Sequence, residues 1–262
     1  MQLRILAALT LSGLALFLFL QRENPAAAAE PPANGKRVPV IVELFTSEGC
    51  SSCPPADALL RKLEEAQPVS NAEIIVLGEH VDYWNYIGWT DRFSSKQFTE
   101  RQQQYADRFN LDSSYTPQMV VDGSAELNGA DESRAKKAIA QSANAARVNV
   151  SLLLQEATAQ SVQLKVNVDA SPVAADADVV LAVTEAHLQT HVKKGENGGH
   201  TLNHTGAVRW LQKIGEVHGS AFSAEPVVKL DPGWKRADLR AVVFVQEKRN
   251  RRIVGAAAVR LQ

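Results

Sequence analysis

A strand that runs directly into a helix, with two cysteines at the junction, is the feature that most constrains how this chain can fold. Residues 38–45 are rich in β-branched and aromatic side chains, which is typical of a strand buried on both faces. After a short turn, Pro54 and Pro55 are tolerated only in the first turn of a helix, where no backbone donor is needed. Cys50 and Cys53 are therefore expected at the N-terminus of that helix.

This placement favours redox chemistry at the two sulfurs. The unpaired backbone N–H groups and the positive end of the helix dipole stabilise a thiolate. Glu48, two residues before Cys50, opposes this effect, because a nearby carboxylate raises the pKa of a thiol. Two cysteines with two residues between them can close a disulfide ring or exchange with another disulfide. The chain has only these 2 cysteines, and so small a ring contributes little to stability, since cross-links gain most across long loops.

The composition predicts a folded protein and excludes nucleic acid as a partner. The 262 residues carry a formal net charge of −1, and 45% of them are hydrophobic, as in an ordinary globular protein. There is no basic stripe along the sequence. The one basic patch, residues 248–252, is interpreted as a turn between two strands.

The N-terminus has the layout of a secretory signal. Arg4 precedes an apolar stretch at 5–20, and small residues follow at 26–29. We expect a signal peptide at 1–29 and a linker at 30–37. An uncleaved membrane anchor is the alternative, because the apolar stretch approaches the ~20 residues that span a bilayer; no other membrane association is expected. Either way the predicted location is periplasmic or secreted, where disulfides persist.

Alternating strands and helices predict an α/β domain over residues 38–146. A second strand at 72–80 follows the dithiol helix, which gives a parallel βαβ unit. A helix is predicted over 94–109. Pro117 then precedes a strand and its hairpin partner, and a closing helix is capped by Asp131.

The pattern changes over residues 147–262, which predict a mostly antiparallel β-sandwich-like domain. Short, partly alternating strands are separated by polar turns. The spacing of Val208, Leu211 and Ile214 fits either a short helix or the start of a strand. The strands are predicted at 148–154, 162–168, 179–185, 239–245 and 253–259.

The order of elements in the first half resembles the thioredoxin fold, in which a cis-proline precedes a strand beside the dithiol; Pro117 matches that proline. Longer strings resemble more closely a secreted thioredoxin-like family, domain-of-unknown-function family 1223. The resemblance spans nearly the whole mature chain and implies a fold rather than an activity. The matching strings are residues 43–57, 80–84, 88–89, 115–118 and 195–197.

These observations predict an extracytoplasmic thiol-disulfide oxidoreductase that acts on protein disulfides. Cys50, as the more N-terminal and exposed sulfur, attacks the partner disulfide, and Cys53 resolves the mixed disulfide. Pro117 is expected to shape the edge that binds the polypeptide. No organic cofactor is implied, and the expected partners are protein thiols or disulfides, or a redox partner protein.

Trp84, Tyr115 and Thr116 are the candidate substrate-binding residues. All 4 tyrosines of the chain lie between residues 83 and 115, and aromatic rings of this kind line grooves that bind polypeptides. Packing in the core is the competing interpretation of these rings.

Other interpretations stay open. The pair could be a static disulfide. Cys50 and Cys53 could instead bind copper(I) or zinc together with His80, as in a metallochaperone, although His80 could also be a proton acceptor or a structural histidine. The chain could also be a non-enzymatic adaptor on a thioredoxin scaffold. A second group of histidines suggests a metal site or a loop that spans the sheet end: His187, His191, His200 and His204.

Overall fold

A computed structural model describes residues 37–262, so the predicted signal peptide at 1–29, and the predicted linker except for Arg37, lie outside the described residues. The described chain contains three α-helices: α1 (Pro54–Ala66), α2 (Lys96–Phe109) and α3 (Glu132–Ser142). None of the helices in this region is long and apolar enough to cross a membrane. The strands are β1 (Val38–Thr46), β2 (Ala72–His80), β3 (Gln118–Val121), β4 (Ala125–Asn128), β5 (Val150–Ala157), β6 (Ser161–Val168), β7 (Ala177–Glu185), β8 (Leu188–His191), β9 (Thr201–His204), β10 (Ala207–Val217), β11 (Phe222–Ala224), β12 (Val227–Lys229), β13 (Leu239–Glu247) and β14 (Ile253–Arg260).

One mixed sheet of eight strands runs through the molecule, in the order β14–β13–β7–β10–β2–β1–β3–β4. It combines strands from both sides of residue 146. The predicted fold class, an α/β thioredoxin-like domain followed by a separate β-sandwich-like domain, is therefore wrong. The fold is mostly β, and the strands assigned to a sandwich extend the sheet of the first half.

The junction between the two halves of this sheet depends on a close approach of two backbones. Gly78 in β2 is paired with Ala207 in β10, and the N–H of Gly78 donates to the carbonyl of Gly206 at 2.8 Å. Gly206 has a φ of 57°, and a Cβ there would lie 2.7 Å from the side chain of Val76. Glycine avoids both the backbone strain and the clash, so β2 can pair with β10 instead of remaining an edge strand.

The local elements of the first half follow the predicted order. β1 and β2 are parallel from Val38 and Ala72 to Thr46 and His80, and α1 provides the crossover. β3 and β4 form the antiparallel hairpin. The carboxylate of Asp131 accepts from the N–H of Arg134 at 2.9 Å and caps α3.

Four other strands, β5, β6, β11 and β12, form a second sheet. Its inner face packs on one face of the large sheet around a core that includes Leu164, Val166, Leu181 and Val243. The alternation of buried and half-buried residues along β6 matches a strand with one face in this core. Two sheets thus do pack face to face, but one of them is shared with the first half.

Helix α2 joins the two halves on the opposite face through a buried polar cluster. The guanidinium of Arg101 donates to Glu43 of β1 at 2.6 Å and to Gln246 of β13 at 3.0 Å. Tyr105 donates its hydroxyl to Glu43 at 2.5 Å. Burial and the neighbouring Glu43 raise the pKa of Glu79 well above its usual range, although Arg101 opposes them.

Candidate functional site

Cys50 and Cys53 form a disulfide at the start of α1, with their Cα atoms 5.4 Å apart. Cys53 is the N-cap residue, and its carbonyl accepts from the N–H groups of Ala56 and Asp57 at 2.9 and 3.1 Å. The first residues of the helix are prolines, as the sequence predicts. The sulfurs therefore lie at the positive end of the helix dipole.

Both cysteines are completely buried in this disulfide form, at 0% exposure. The expectation that Cys50 is an exposed sulfur is wrong here, even though Ser51 and Ser52 beside it are exposed. The reason is tertiary, because segments distant in sequence cover the ring. An exchanging partner must reach a sulfur directly, so these covering segments control access to it.

The Thr116–Pro117 segment is one of them. Its peptide bond is cis, and the hydroxyl of Thr116 donates to Sγ of Cys50 at 3.3 Å. The indole Nε1–H of Trp84 donates to the same hydroxyl oxygen at 2.8 Å. Trp84 and Thr116 are thus brought together with Cys50, and both are half-buried.

Tyr115 has other partners. Its hydroxyl donates to the carboxylate of Glu126, and its backbone carbonyl accepts from Gln102 at 2.8 Å. Burial, followed by the contact with Glu126, raises the pKa of Tyr115. The described hydrogen bonds of Tyr115 therefore connect it to β4 and α2 rather than to the disulfide.

A second covering segment comes from the far half of the chain. We call residues 192–200, between β8 and β9, the covering loop. The side-chain amide of Asn197 donates to the carbonyls of Glu48 and Cys50, both at 2.9 Å. The carboxylate of Glu196 accepts from the N–H of Ser51 at 3.0 Å. The loop is thereby attached to the backbone immediately before and within the disulfide ring.

Five buried titratable side chains lie around the start of α1 and the ends of β1 and β2. We call them the acid–imidazole cluster: Glu48, Asp57, His80, Asp91 and His204. Nδ1 of His80 is 2.7 Å from the carboxylate of Asp91. The rings of His80 and His204 are edge to face, with centroids 4.8 Å apart. Nε2 of His204 lies 3.4 Å from the carboxylate of Glu48.

Burial and charge act in opposite directions on this cluster. Burial lowers the pKa of His80, but the nearby Asp91 carboxylate outweighs it, so the pKa is raised overall. Burial raises the pKa of Asp91, but His80 and the N–H groups of Glu48 and Phe93 lower it to about 2. Burial also raises the pKa of Asp57, and the two histidines only partly oppose it. These directions favour the charged forms of His80 and Asp91 and disfavour ionisation of the neighbouring Asp57.

Cys50 and Cys53, two of the residues proposed as metal ligands, are bonded to each other in the structure. Within residues 37–262, no group of three or more His, Cys, Asp or Glu side chains is arranged to hold a metal ion. The candidate ligand His80 contacts Asp91 instead. Of the four histidines singled out in the second half, His187 pairs with Asp238, whereas His204 belongs to the acid–imidazole cluster.

A family of proteins of unknown function, DUF1223, matches residues 41–246 of the sequence. The chain belongs to the DUF1223 family. This agrees with the resemblance seen in the sequence strings, and it leaves the secreted character of the protein a prediction. No curated protein matches the sequence.

Two solved structures extend the comparison of this DUF1223 protein. A crystal structure of a protein from Agrobacterium tumefaciens is 31% identical, covers 87% of this chain and 96% of its own, and has a TM-score of 0.66. HBP35 of Porphyromonas gingivalis is 17% identical, covers 86% of this chain and 76% of its own, and has a TM-score of 0.60. The second likeness concerns the fold alone.

Several residues of this DUF1223 site had no role in the sequence-based predictions. Glu196 and Asn197 belong to a string that carried the family resemblance, and that string was the one signal pointing to them. Asp57 stood at the end of another such string. Asp91 had no signal, because nothing in its local sequence shows that it meets His80 and the N–H of Glu48.

Proposed function

We propose that this protein is an extracytoplasmic thiol-disulfide oxidoreductase whose Cys50–Cys53 couple exchanges electrons with protein disulfides. The observation that carries the proposal is the disulfide at the N-terminus of α1, made by the only 2 cysteines of the chain. A helix start stabilises the thiolate that exchange requires. A ring of this size stabilises the fold little, which leaves redox chemistry as the better reason for the pair.

In the reduced protein, the thiolate of Cys50 attacks one sulfur of the partner disulfide. A mixed disulfide forms, and the other partner sulfur leaves as a thiolate that takes up a proton. Cys53 then loses its proton and attacks Sγ of Cys50, which re-forms the intramolecular disulfide and releases the second partner thiol. Two electrons pass from the dithiol to the partner disulfide.

Thr116 and Trp84 support this assignment of roles. The hydroxyl of Thr116 already donates to Sγ of Cys50, and the same donor would stabilise a thiolate at that position. Trp84 holds the hydroxyl through its indole N–H, which leaves the hydroxyl proton free to point at the sulfur. Pro117 follows directly, at the edge where an extended polypeptide would approach.

Access is the feature that distinguishes this proposal from a simple exposed dithiol. Cys50 and Cys53 have no exposed surface in the disulfide form, so a protein partner reacts only when a covering segment moves away. The covering loop is held by three hydrogen bonds, from Asn197 and to Glu196. Each contributes about 1 kcal/mol net, so thermal fluctuations at ordinary temperatures are sufficient to open the loop transiently.

The test uses the purified mature protein in glutathione buffers of graded potential, with the thiols quantified by alkylation and mass spectrometry. A redox-active couple shows reversible, two-electron conversion between dithiol and disulfide. The Cys53→Ser variant, mixed with insulin as a protein disulfide, should accumulate a mixed disulfide through Cys50. Cys50→Ser is the matched control, because it keeps one thiol but removes the attacking one.

Two results would contradict the proposal. One is a disulfide that does not equilibrate with glutathione even after prolonged incubation. The other is equal trapping of insulin by the two variants, which would mean that exchange is not directed to Cys50. A static disulfide predicts the first result.

A further inference from the structure

A cationic cavity adjoins the acid–imidazole cluster through Phe93, whose ring centroid is 5.3 Å from that of His80 and 5.6 Å from that of His204. Its volume is about 410 Å³, which is in the range of small-molecule sites. It opens where the segment after β2 meets β7, β8 and β10. Among its lining residues are Arg92, Phe93, Glu185, Leu188, Arg209 and Lys235.

The floor of this cavity is apolar and buried. Phe93 and Leu188 are 6% and 7% exposed and pack together with Ala207. Two guanidinium groups lie against the Phe93 ring, with Arg92 4.7 Å and Arg209 4.9 Å from its centroid. The two cations are held against a buried ring. Water is excluded there and the local dielectric constant is low, so a charged contact made above the ring is stronger.

The charges that line the cavity do not balance. Three lining side chains are cationic, Arg92, Arg209 and Lys235, and one is a carboxylate, Glu185. The carboxylate of Glu185 already has two partners. It accepts from the backbone N–H of Lys235 at 2.8 Å and lies 3.5 Å from Nε of Arg209. Asp231 adds a second negative charge near Arg209, and its carboxylate accepts from the N–H of Gly233 at 2.7 Å. Three cations against two carboxylates still leave an excess of positive charge.

Arg92 in particular is without a carboxylate partner among residues 37–262. Its guanidinium donates instead to the backbone carbonyl of Gln189 at 2.9 Å. Burial, and then the positive charge of Arg92, lower the pKa of Arg209, while Glu185 opposes them. Two guanidinium groups held near one ring would both be stabilised by an added anion.

We infer that this cavity binds a small oxyanion, a carboxylate or a phosphate, between Arg92 and Arg209. Guanidinium groups match both anions in bidentate geometry. Lys235 adds a third positive charge at the rim, and Phe93 and Leu188 accommodate an apolar portion of the ligand. Glu185 orients Arg209 and excludes a second anion.

Isothermal titration calorimetry of the full mature protein tests this site, with inorganic phosphate and succinate as separate probes at constant ionic strength. The site predicts saturable binding of at least one probe. Arg92→Gln should weaken that binding by about tenfold or more, because it removes a charge-assisted contact. Arg249→Gln is the matched control, since Arg249 is exposed and outside the cavity, and should leave the affinity unchanged. Lys235→Gln provides a second variant at an exposed position.

The two probes distinguish the possible ligands. Binding of phosphate alone identifies a phosphate-type ligand, and binding of succinate alone identifies an organic carboxylate. Binding of neither probe would overturn the inference. So would binding that Arg92→Gln, Lys235→Gln and Arg249→Gln all weaken equally, because that pattern reflects net charge rather than a site.

Discussion

The side-chain amide of Asn197 donates to the backbone carbonyl of Cys50 at 2.9 Å, across 147 positions of sequence. The same amide donates to the carbonyl of Glu48 at 2.9 Å. A residue of the second half thus holds the backbone of the disulfide ring in the first half. Opening of the covering loop must break both bonds.

Asn197→Ala is expected to expose the disulfide more often. Loss of two hydrogen bonds of about 1 kcal/mol each raises the equilibrium constant for opening of the loop by about thirtyfold. The rate of reduction by dithiothreitol should rise by the same factor. Asn203→Ala, at an exposed position of the same hairpin, should leave the rate unchanged. Equal rates for the two variants would show that the covering loop does not limit access.

Thr116→Val removes the hydroxyl that donates to Cys50 and keeps the shape of the side chain. In the reduced protein the pKa of the Cys50 thiol should rise, because its thiolate loses a hydrogen bond. Alkylation by iodoacetamide at neutral pH should slow by about threefold, and the pH profile of the rate should shift upward. Thr190→Val is the control, since that buried hydroxyl has no partner among residues 37–262. A profile unchanged by Thr116→Val would exclude this role for the hydroxyl.

Asp91→Asn should flatten the dependence of stability on pH. The pKa of Asp91 is lowered from 3.8 to about 2, so its contribution is present above 3.8 and is lost as the pH falls towards 2. That contribution is about 2 kcal/mol at neutral pH. The raised pKa of His80 adds stability that is complete below its unfolded value of about 6.5 and declines as the pH rises through its folded value.

Urea unfolding between pH 2 and pH 9 measures this effect. The wild-type protein should be most stable between pH 3.8 and about pH 6.5. Asp91→Asn should lose much of the decline in stability on the acidic side and on the alkaline side of this range. Asp112→Asn, at an exposed position, should keep the wild-type profile. A variant at Asp91 with unaltered slopes would mean that the pair is not charged in the folded state.

Arg101→Met should destabilise the fold more than a surface substitution of the same kind. The guanidinium contacts Glu43 and Gln246, and its removal leaves the Glu43 carboxylate buried without its cation. Breaking such a pair costs about 3 to 5 kcal/mol in the free energy of unfolding. Arg249→Met, at an exposed position, should change it by less than about 0.5 kcal/mol. Equal unfolding midpoints in urea would contradict the proposed joining role of α2.

The predicted elements of the first half agree closely with the structure because their signals are local. Ser95 accepts from the N–H of Gln97 and caps α2, and Asp131 caps α3. Residues 248–252 form the predicted turn between β13 and β14. In β10 the local signal was ambiguous. Val208, Leu211 and Ile214 belong to a strand whose register shifts twice. The first shift lets Val208 and Leu211 pack in one core although they are three residues apart, whereas Ile214 packs in the other core.

The fold class could not be predicted from such local signals. The sequence shows where strands occur, but the pairing of β2 with β10 depends on two glycines more than 120 residues apart, Gly78 and Gly206. A division into two independent sheets was therefore the natural prediction, and it is wrong. Strand pairing is a long-range property that alternation of side chains does not encode.

What the sequence by itself determined is the chemistry available: two cysteines, prolines that start a helix directly after them, and the strings that place the chain in its family. Only the tertiary structure decided that the sulfurs are buried, that Asn197 and Glu196 hold the ring, and that His80 pairs with Asp91. The physical reason is that helix starts depend on neighbouring residues, whereas burial and ion pairing depend on segments brought together from across the whole chain.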